Sequence, residues 1–285
     1  MSNKSLMGFF AHADDIEFAI GGTCLKYTAR GYKVDYIMST NNMSGEYHKV
    51  ERDGSVSRIP CVPQEMEPVR KQEAAAGAAC LGCVPLHLDY PQRHYYTENG
   101  QREKISIGYG MPAPQGVDCS LPNIMIAHEY KEEVTKVADL ILERDPEVIF
   151  THSCCSASPE HYATALLAAK GYAQAVKRGY AGDLFFMSEI CESSFFLRNH
   201  IQWDSFIDIS GCRQAQFDLI RCHISMVPVP ERMDYLDFTP ICGVKDAEIV
   251  TWFRCGSGKA PNVRGELSQE LREHYVQGRW FDPGL

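Results

Sequence analysis

The chain has 285 residues, of which 45% are hydrophobic and 23% charged, the profile of a globular protein with enough apolar material for one sizeable core. The formal net charge is −9 and no Lys/Arg-rich run occurs, which argues against a surface built to neutralise nucleic-acid phosphates. The N-terminus lacks a signal-peptide pattern, and no apolar run approaches the roughly 18 residues of a membrane span. We therefore expect a cytoplasmic protein that does not bind nucleic acid and has no membrane span.

Short strand-like apolar runs alternate with longer helical runs, which is typical of a mostly parallel sheet with helices on its faces. The predicted strands are, in chain order, Leu6 to Ala11, Val34 to Ser39, Pro85 to Leu88, Val148 to Thr151, Leu184 to Ser188 and Phe206 to Ile209. The predicted helices are Ile16 to Arg30, Glu67 to Leu81, Ala127 to Arg144, Glu160 to Arg178, Ser210 to about His223, and one near Asp246 to Phe253. The fold class is therefore α/β.

Two segments interrupt this alternation. No linker or internal repeat divides the chain, so we expect one domain over residues 1–285, with long loops at about 43–63 and 91–125. Loops of this length are usually lids, binding loops or disordered segments. The second loop contains the arginines and tyrosines Arg93, Tyr95, Tyr96, Arg102 and Tyr109. These side chains favour two roles for the loop: a lid that covers a binding site, or a contact surface within a homo-oligomer.

The twelve cysteines are read as reduced thiols rather than as a disulfide framework, because no export signal precedes them. Cys80 and Cys83 form one CxxC pattern, but no second ligand pair at zinc-site spacing accompanies it. We expect these two cysteines to be small buried residues at the end of a helix.

The stretch FFAHADDIEFAIGGT places His12, Asp14 and Asp15 directly after the first predicted strand. Ligands of parallel α/β sheets bind at the carboxyl ends of the strands. His12 and Asp15 are three residues apart across a turn, so they can supply two of the three protein ligands of a catalytic zinc site. Asp14 would then act as a base. The alternative is that both carboxylates merely cap the following helix.

A third ligand is available at the end of another strand. In VIFTHSCCSASPEHYATA, His152 follows the predicted strand and His161 lies in the first turn of the next helix, which Pro159 opens. Either histidine could complete the metal site.

AHADDIEFAIGGT resembles the AHPDDxExxxGGT signature of the PIG-L/LmbE family of zinc-dependent N-acetylglucosaminyl deacetylases and related amidases. THSCCSASPEHYATA looks like the second motif of that family, whose core is HPDH. Weaker similarities follow in order, so the resemblance spans about residues 5–255; they are Arg70 and Glu73, FIDIS with Asp208, RCHIS with His223, and GVKDAEIVTWF with Glu248.

The resemblance implies a Rossmann-like three-layer sandwich that holds Zn²⁺, or another divalent metal, with His12, Asp15 and His161. It implies that Asp14 is the general base and that Arg70 lies at the substrate pocket. The second motif departs from the family pattern, because Ser158 replaces a histidine that handles the tetrahedral intermediate. Glu160 replaces the Asp of HPDH. This change is conservative, because both residues carry a carboxylate that can support a neighbouring group.

The function implied is removal of an acetyl group from an N-acetylated sugar or sugar conjugate, by attack of a metal-bound water on the amide. His152, His223 or a loop residue could replace the missing histidine, and His223 is a candidate substrate-binding residue. The alternative within the family is a hydratase of a small unsaturated polycarboxylate of the 4-oxalomesaconate type, with Glu46 of SGEYHKV as acid or base. The third hypothesis is a binding or structural protein that keeps the fold but has lost catalysis. It predicts decay of the first motif, whereas His12, Asp14 and Asp15 are all present.

Overall fold

The computed structural model describes residues 4–104, 116–153, 156–188, 205–227 and 238–252. A seven-stranded mixed sheet forms its centre, in the order β10-β11-β9-β8-β1-β2-β5. Its strands are β1 (Ser5–Phe10), β2 (Lys33–Thr40), β5 (Leu86–Tyr90), β8 (Val148–Thr151), β9 (Asp183–Met187), β10 (Ser205–Asp208) and β11 (Ala247–Trp252). β1, β2, β5, β8 and β9 are parallel, whereas β11 runs antiparallel to both of its neighbours. The predicted α/β class with a mostly parallel sheet is confirmed.

Helices cover both faces of the sheet. They are α1 (Asp15–Thr28), α2 (Pro63–Cys80), α3 (Ile124–Ala127), α4 (Lys131–Arg144), α5 (Pro159–Lys177), α6 (Arg213–Ile220) and α7 (Thr239–Cys242). Successive side chains of a strand point to opposite faces, so β1 contributes to two cores. Leu6 and Phe10 pack on the side of α1, and Met7 and Phe9 pack on the side of α5. Both faces of β1 are therefore buried, and its carboxyl end lies in the interior of the molecule.

The two segments expected to be long loops contain β-hairpins. Residues 43–63 include β3 (Glu46–Val50) paired antiparallel with β4 (Val56–Pro60). Residues 91–125 include β6 (His94–Tyr96) paired with β7 (Arg102–Lys104). The prediction missed both hairpins because their strands are short and polar, without an apolar alternation. Tyr109 lies outside the described residues.

The helix predicted near Asp246 to Phe253 is wrong, because residues 247–252 form strand β11 between β9 and β10. Its side chains alternate between two clusters, with Val250 in the α1 core and Ala247 and Ile249 in a separate cluster with Phe238. The sequence AEIVTW supports either a short helix or a buried strand, and pairing with distant strands decides between them.

Helix α1 is bent at Ile20, whose φ and ψ of −137° and 18° are not helical. Glu248 of β11 accepts hydrogen bonds from the backbone N–H groups of Gly22 and Thr23, at 2.8 and 2.9 Å. The side-chain amide of Gln216 in α6 donates to the carbonyl of Glu17 at 3.0 Å and to Glu248 at 3.1 Å. These two side chains satisfy the backbone groups that the bend exposes.

Two further expectations are corrected. The single helix predicted from Ala127 to Arg144 begins only at Lys131, since residues 124–127 form the separate helix α3. Cys80 is exposed at the end of α2 rather than buried, and Cys83 is partly buried with its thiol donating to the carbonyl of Ala78.

Among the described residues, no helix combines the length and the apolar character needed to cross a bilayer.

Candidate metal centre and active site

The first and second motifs meet because β1 and β8 are adjacent parallel strands. His12 follows the carboxyl end of β1, and Asp15 is the first residue of α1. His161 lies in the first turn of α5, after the loop that follows β8. Adjacent parallel strands end at the same edge of a sheet, so residues 149 positions apart in the chain become neighbours.

His12, Asp15 and His161 form a compact cluster, in which one ligand atom from each lies within 4.8 Å of the others. His12 Nδ1 is 3.1 Å from His161 Nε2 and 3.3 Å from Asp15 Oδ2. Asp15 Oδ1 is 3.5 Å from His161 Nε2. Two imidazole nitrogens and one carboxylate are a donor set that zinc and related divalent ions accept, and it leaves a coordination position open. The cluster can therefore hold a metal ion.

Glu160 orients His12. Its Oε2 is 2.8 Å from His12 Nε2, which directs Nδ1 of the same ring toward the cluster. The backbone N–H of Arg93 and the side-chain amide of Gln92 also donate to this carboxylate. Burial lowers the pKa of His12, but the carboxylates of Asp15 and Glu160 outweigh it and raise this pKa to about 10. Anions that stabilise a proton on His12 stabilise a metal cation at the same place.

The negative charge of Asp15 is also stabilised by its neighbours. Burial raises the pKa of its carboxyl, but His161, His152 and His12 outweigh that effect and hold the pKa well below its usual value. The carboxyl of Glu160 shows the same balance. Burial raises its pKa, but His12 and the hydrogen-bond donors of Arg93 and Gln92 outweigh that effect and lower the pKa to about 2. Both carboxylates are thus present as anions.

His152 was the other candidate for the third ligand, and the structure places it beneath the cluster. Its ring stacks on His161 at a centroid distance of 3.9 Å and is 1% exposed. Its Nε2 accepts a hydrogen bond from the backbone N–H of Ala11 at 2.8 Å. The same Nε2 lies 3.2 Å from Asp15 Oδ2, so His152 contacts a member of the cluster and supports the site from below.

Asp14 points to a different partner from Asp15. Its Oδ1 is 2.9 Å from the guanidinium Nη2 of Arg70, a residue of α2 that is only 3% exposed. Arg70 Nη1 lies 3.6 Å from Glu73, whose carboxylate accepts hydrogen bonds from the backbone and hydroxyl of Ser225. The two adjacent aspartates are therefore separated, with Asp15 in the cluster and Asp14 on a buried arginine.

A cavity of about 490 Å³ opens above these residues. The cluster, Asp14 and Arg70 all line it, together with Ser158, Glu160 and side chains of the two hairpins. The hairpin residues are Glu46, His48, Arg58, His94, Tyr96 and Arg102. From the sequence, the two long segments were candidate lids or binding loops, but Arg58 and His48 were not identified as residues that line a cavity. Their position depends on how the hairpins pack on the rest of the protein, which the local sequence pattern does not show.

The three predicted substrate-binding residues have different positions. Arg70 and Glu46 line the cavity, and Glu46 accepts a hydrogen bond from the hydroxyl of Tyr96 at 2.7 Å. His223 is fully buried outside the lining, with Nε2 3.2 Å from Glu17 Oε1. The hydroxyl of Tyr36 donates to the same carboxylate. The role of His223 in substrate binding stays a prediction, and its observed contacts are those of a support beneath α1.

The fold and the site together define an α/β protein with a His-Asp-His cluster and a separate carboxylate at the carboxyl edge of its sheet. The family model described as PIG-L, GlcNAc-PI de-N-acetylase, matches residues 7–171, more than half of the chain. The chain belongs to this family, and the resemblance seen in its motifs is confirmed.

Solved structures of similar fold include enzymes of two reaction types. GalB, the 4-carboxy-2-hydroxymuconate hydratase from Pseudomonas putida, is 18% identical with a TM-score of 0.60, over 90% of this chain and 100% of that chain. The N,N'-diacetylchitobiose deacetylase from Pyrococcus horikoshii is 16% identical with a TM-score of 0.60, over 89% and 85%. A deacetylase of teicoplanin biosynthesis is 14% identical with a TM-score of 0.56, over 88% and 100%. At these identities the similarity establishes the fold alone.

Proposed function

We propose that the protein is a metal-dependent N-deacetylase that hydrolyses the acetamide of a small N-acetylated molecule, such as a sugar or sugar conjugate. The observation that supports this proposal most directly is the separation of the two aspartates. Asp15 belongs to the His12–Asp15–His161 cluster, whereas Asp14 lines the same cavity and is held by Arg70. One carboxylate can thus hold a metal while the other moves a proton.

The donor set of His12, Asp15 and His161 fits Zn²⁺ or another divalent ion. When bound, such an ion acts as a Lewis acid that makes a water molecule acidic near neutral pH. Glu160 fixes the ring of His12 for this purpose through its contact with Nε2.

Asp14 is the general base in this proposal. Arg70 occupies its Oδ1 at 2.9 Å, which leaves Oδ2 to accept the proton of the attacking water. The ion pair also fixes the direction of the carboxylate, since Arg70 is itself held by Glu73. After attack, Asp14 can return the proton to the leaving amine.

The part of the site that would stabilise the oxyanion is weaker. Ser158, at the N-cap of α5, lines the cavity where the family motif has a histidine. Loss of one oxyanion donor costs on the order of 10²- to 10³-fold in kcat. His152 and His223 are buried against Ala11 and Glu17, so neither supplies that donor from its observed position.

A second candidate function is hydration of a carbon–carbon double bond, and it is favoured by Glu46. This carboxylate lines the cavity and can donate a proton to a carbon atom of the double bond, while Asp14 accepts a proton from the attacking water. Addition of water to a double bond in conjugation with a carboxylate does not need the amide oxyanion donor whose place in the family motif Ser158 takes.

The test is a metal analysis followed by two assays on the metal-loaded protein. Acetate release is screened over N-acetylglucosamine and its conjugates, and hydration is followed as loss of ultraviolet absorbance of conjugated unsaturated di- and tricarboxylates. Asp14→Asn should lower kcat by about 10²- to 10⁴-fold in the operating assay while metal content is kept. Asp15→Asn, the matched control, should lose metal and activity together.

Glu46→Gln separates the two functions, because it should abolish hydration and leave acetate release within a few fold. Full activity of Asp14→Asn would contradict the base assignment. A metal-loaded protein that is inactive in both assays would contradict both candidate reactions.

A further inference from the structure

The charges that line the cavity are arranged in two layers. The carboxylates of Asp14, Asp15 and Glu160 lie at its floor, where Arg70 pairs with Asp14 and His12 pairs with Asp15 and Glu160. Three more arginines line the cavity from the segments above; they are Arg58 on β4, Arg93 just before β6, and Arg102 on β7. The rim therefore carries guanidinium groups that the floor carboxylates do not neutralise.

Arg93 has a buried donor without a protein acceptor. Its Nε has no hydrogen-bond partner among the described residues, and its side chain lines the cavity. Buried polar groups are nearly always hydrogen-bonded to protein, water or ligand. Its backbone N–H donates to Glu160, so the residue is fixed at the cavity while its Nε has a donor that no described acceptor takes.

Arg102 is positioned by a neutral histidine. Its Nη2 donates to His94 Nδ1 at 3.1 Å, and burial lowers the pKa of His94 to about 4. A neutral imidazole orients the guanidinium without cancelling its charge. Arg102 is thus oriented by an uncharged partner, on an exposed side chain of the second hairpin.

Arg58 is the one rim arginine whose guanidinium forms an ion pair with a carboxylate among the described lining residues. Its Nη1 lies 3.8 Å from Glu46 Oε2, and its side chain is 69% exposed. An exposed pair at that distance contributes little. Glu46 is also held by Tyr96 of the second hairpin, so one contact joins the two hairpins that carry Arg58 and Arg102.

We infer that Arg58, Arg93 and Arg102 form a subsite for an anionic group of the substrate, a carboxylate or a phosphate, held at the rim while the reacting bond lies at the floor. Guanidinium groups bind both anions through paired hydrogen bonds. This inference rests on the proposed function only for the statement that the ligand is the substrate; the anion subsite itself rests on the arginines.

The experiment measures binding by calorimetry to the zinc-loaded full chain, with two pairs of probes. The first pair is N-acetylglucosamine 6-phosphate and N-acetylglucosamine. The second is propane-1,2,3-tricarboxylate and its neutral triamide. In each pair the charged probe should bind more tightly, and the pair with the larger ratio identifies phosphate or carboxylate as the preferred group.

Arg102→Ala and Arg58→Ala should each weaken binding of the charged probe by about 5- to 20-fold, the range expected for a charge-assisted hydrogen bond that is partly exposed to solvent. Neither should change binding of the neutral probe. Both side chains are exposed at the rim, so the variants should fold. Arg52→Ala is the matched control, because Arg52 is exposed on the turn of the same hairpin as Arg58 but does not line the cavity.

Equal binding of charged and neutral probes in both pairs would overturn the inference, as would an equal loss in Arg52→Ala. These outcomes are separable from failure of the proposed function. If Asp14→Asn abolishes turnover but Arg102→Ala leaves KM unchanged, only the subsite is wrong. If charge-dependent binding is lost in Arg102→Ala while no turnover is found in either assay, only the proposed reactions are wrong.

Discussion

Gly22 in the GGT sequence of α1 gives a prediction whose sign depends on tertiary structure. On helix propensity alone, Gly22→Ala should stabilise the protein by up to about 1 kcal/mol. A Cβ placed on Gly22, however, would lie 2.6 Å from Ile209 Cγ2, 2.7 Å from its Cβ and 2.9 Å from its Cδ1. Carbon atoms in contact prefer about 3.5 to 4.0 Å, so all three contacts are repulsive.

Ile209 cannot move away cheaply. A Cβ atom moves only with its backbone, and the backbone N–H of Ile209 is bound to the carbonyl of Asp246 at 3.0 Å. The branch at Cβ also restricts the rotation about χ1 that would move Cγ2 and Cδ1 away. Overpacking of this kind typically costs about 1 to 3 kcal/mol. Because this cost exceeds the propensity gain, we expect Gly22→Ala to be destabilising by about 1 to 2 kcal/mol. In a domain of this size that lowers Tm by roughly 2 to 8 °C.

The assay is urea unfolding followed by circular dichroism, with Gly211→Ala as the control. Gly211 is exposed, and a Cβ placed on it would meet no atom within 4 Å, so its substitution should be neutral within about 0.5 kcal/mol. Ile209→Ala removes two of the three clashing atoms, and in that background Gly22→Ala should cost at least about 1 kcal/mol less. A Gly22→Ala variant as stable as the wild type would refute the reasoning.

Three further predictions concern the site and its supports. His161→Ala should reduce the metal content of the purified protein, measured by mass spectrometry, because it removes one of the three clustered ligands; unchanged metal content would contradict the ligand assignment. Glu248→Ala should lower the free energy of unfolding by about 2 to 4 kcal/mol in urea, since it leaves the N–H groups of Gly22 and Thr23 without an acceptor; a loss below about 0.5 kcal/mol would show that water replaces the carboxylate. The pKa of His94 is lowered by burial from 6.5 to about 4, so its contribution to stability is complete above pH 6.5 and is lost as the pH falls toward 4. His94→Asn should therefore lose less stability than the wild type between about pH 7 and about pH 4.5, and equal losses would argue against it.

The strands and helices around the first motif were predictable because their signals are local. Apolar runs followed by polar turn residues located β1, β2, β8 and β9 to within about two residues. The spacing of His12, Asp14 and Asp15 was enough to suggest that one carboxylate binds a metal while the other acts as a base. These inferences need only the period of a strand and the position of a strand end.

Several features required contacts between distant residues. Strand β11 was predicted as a helix, because only its pairing with β9 and β10 selects the extended form. The choice between His152 and His161 also depended on packing, since both follow β8 and only the stacking and the bond to Ala11 place His152 below the cluster. Likewise, the sequence did not show that His223 is fully buried beside Glu17, and its role in substrate binding stays a prediction.

The sequence by itself determined which potential ligands lie at the edge of β1, because His12, Asp14 and Asp15 are fixed relative to one another by a single turn. Tertiary structure decided which side chains face that chemistry across the cavity. Arg58 and Arg102 lie on two polar hairpins whose position depends on contacts far along the chain, among them the bond from Tyr96 to Glu46. Local periodicity carries no information about such contacts, and they are what give the cavity its arginine rim.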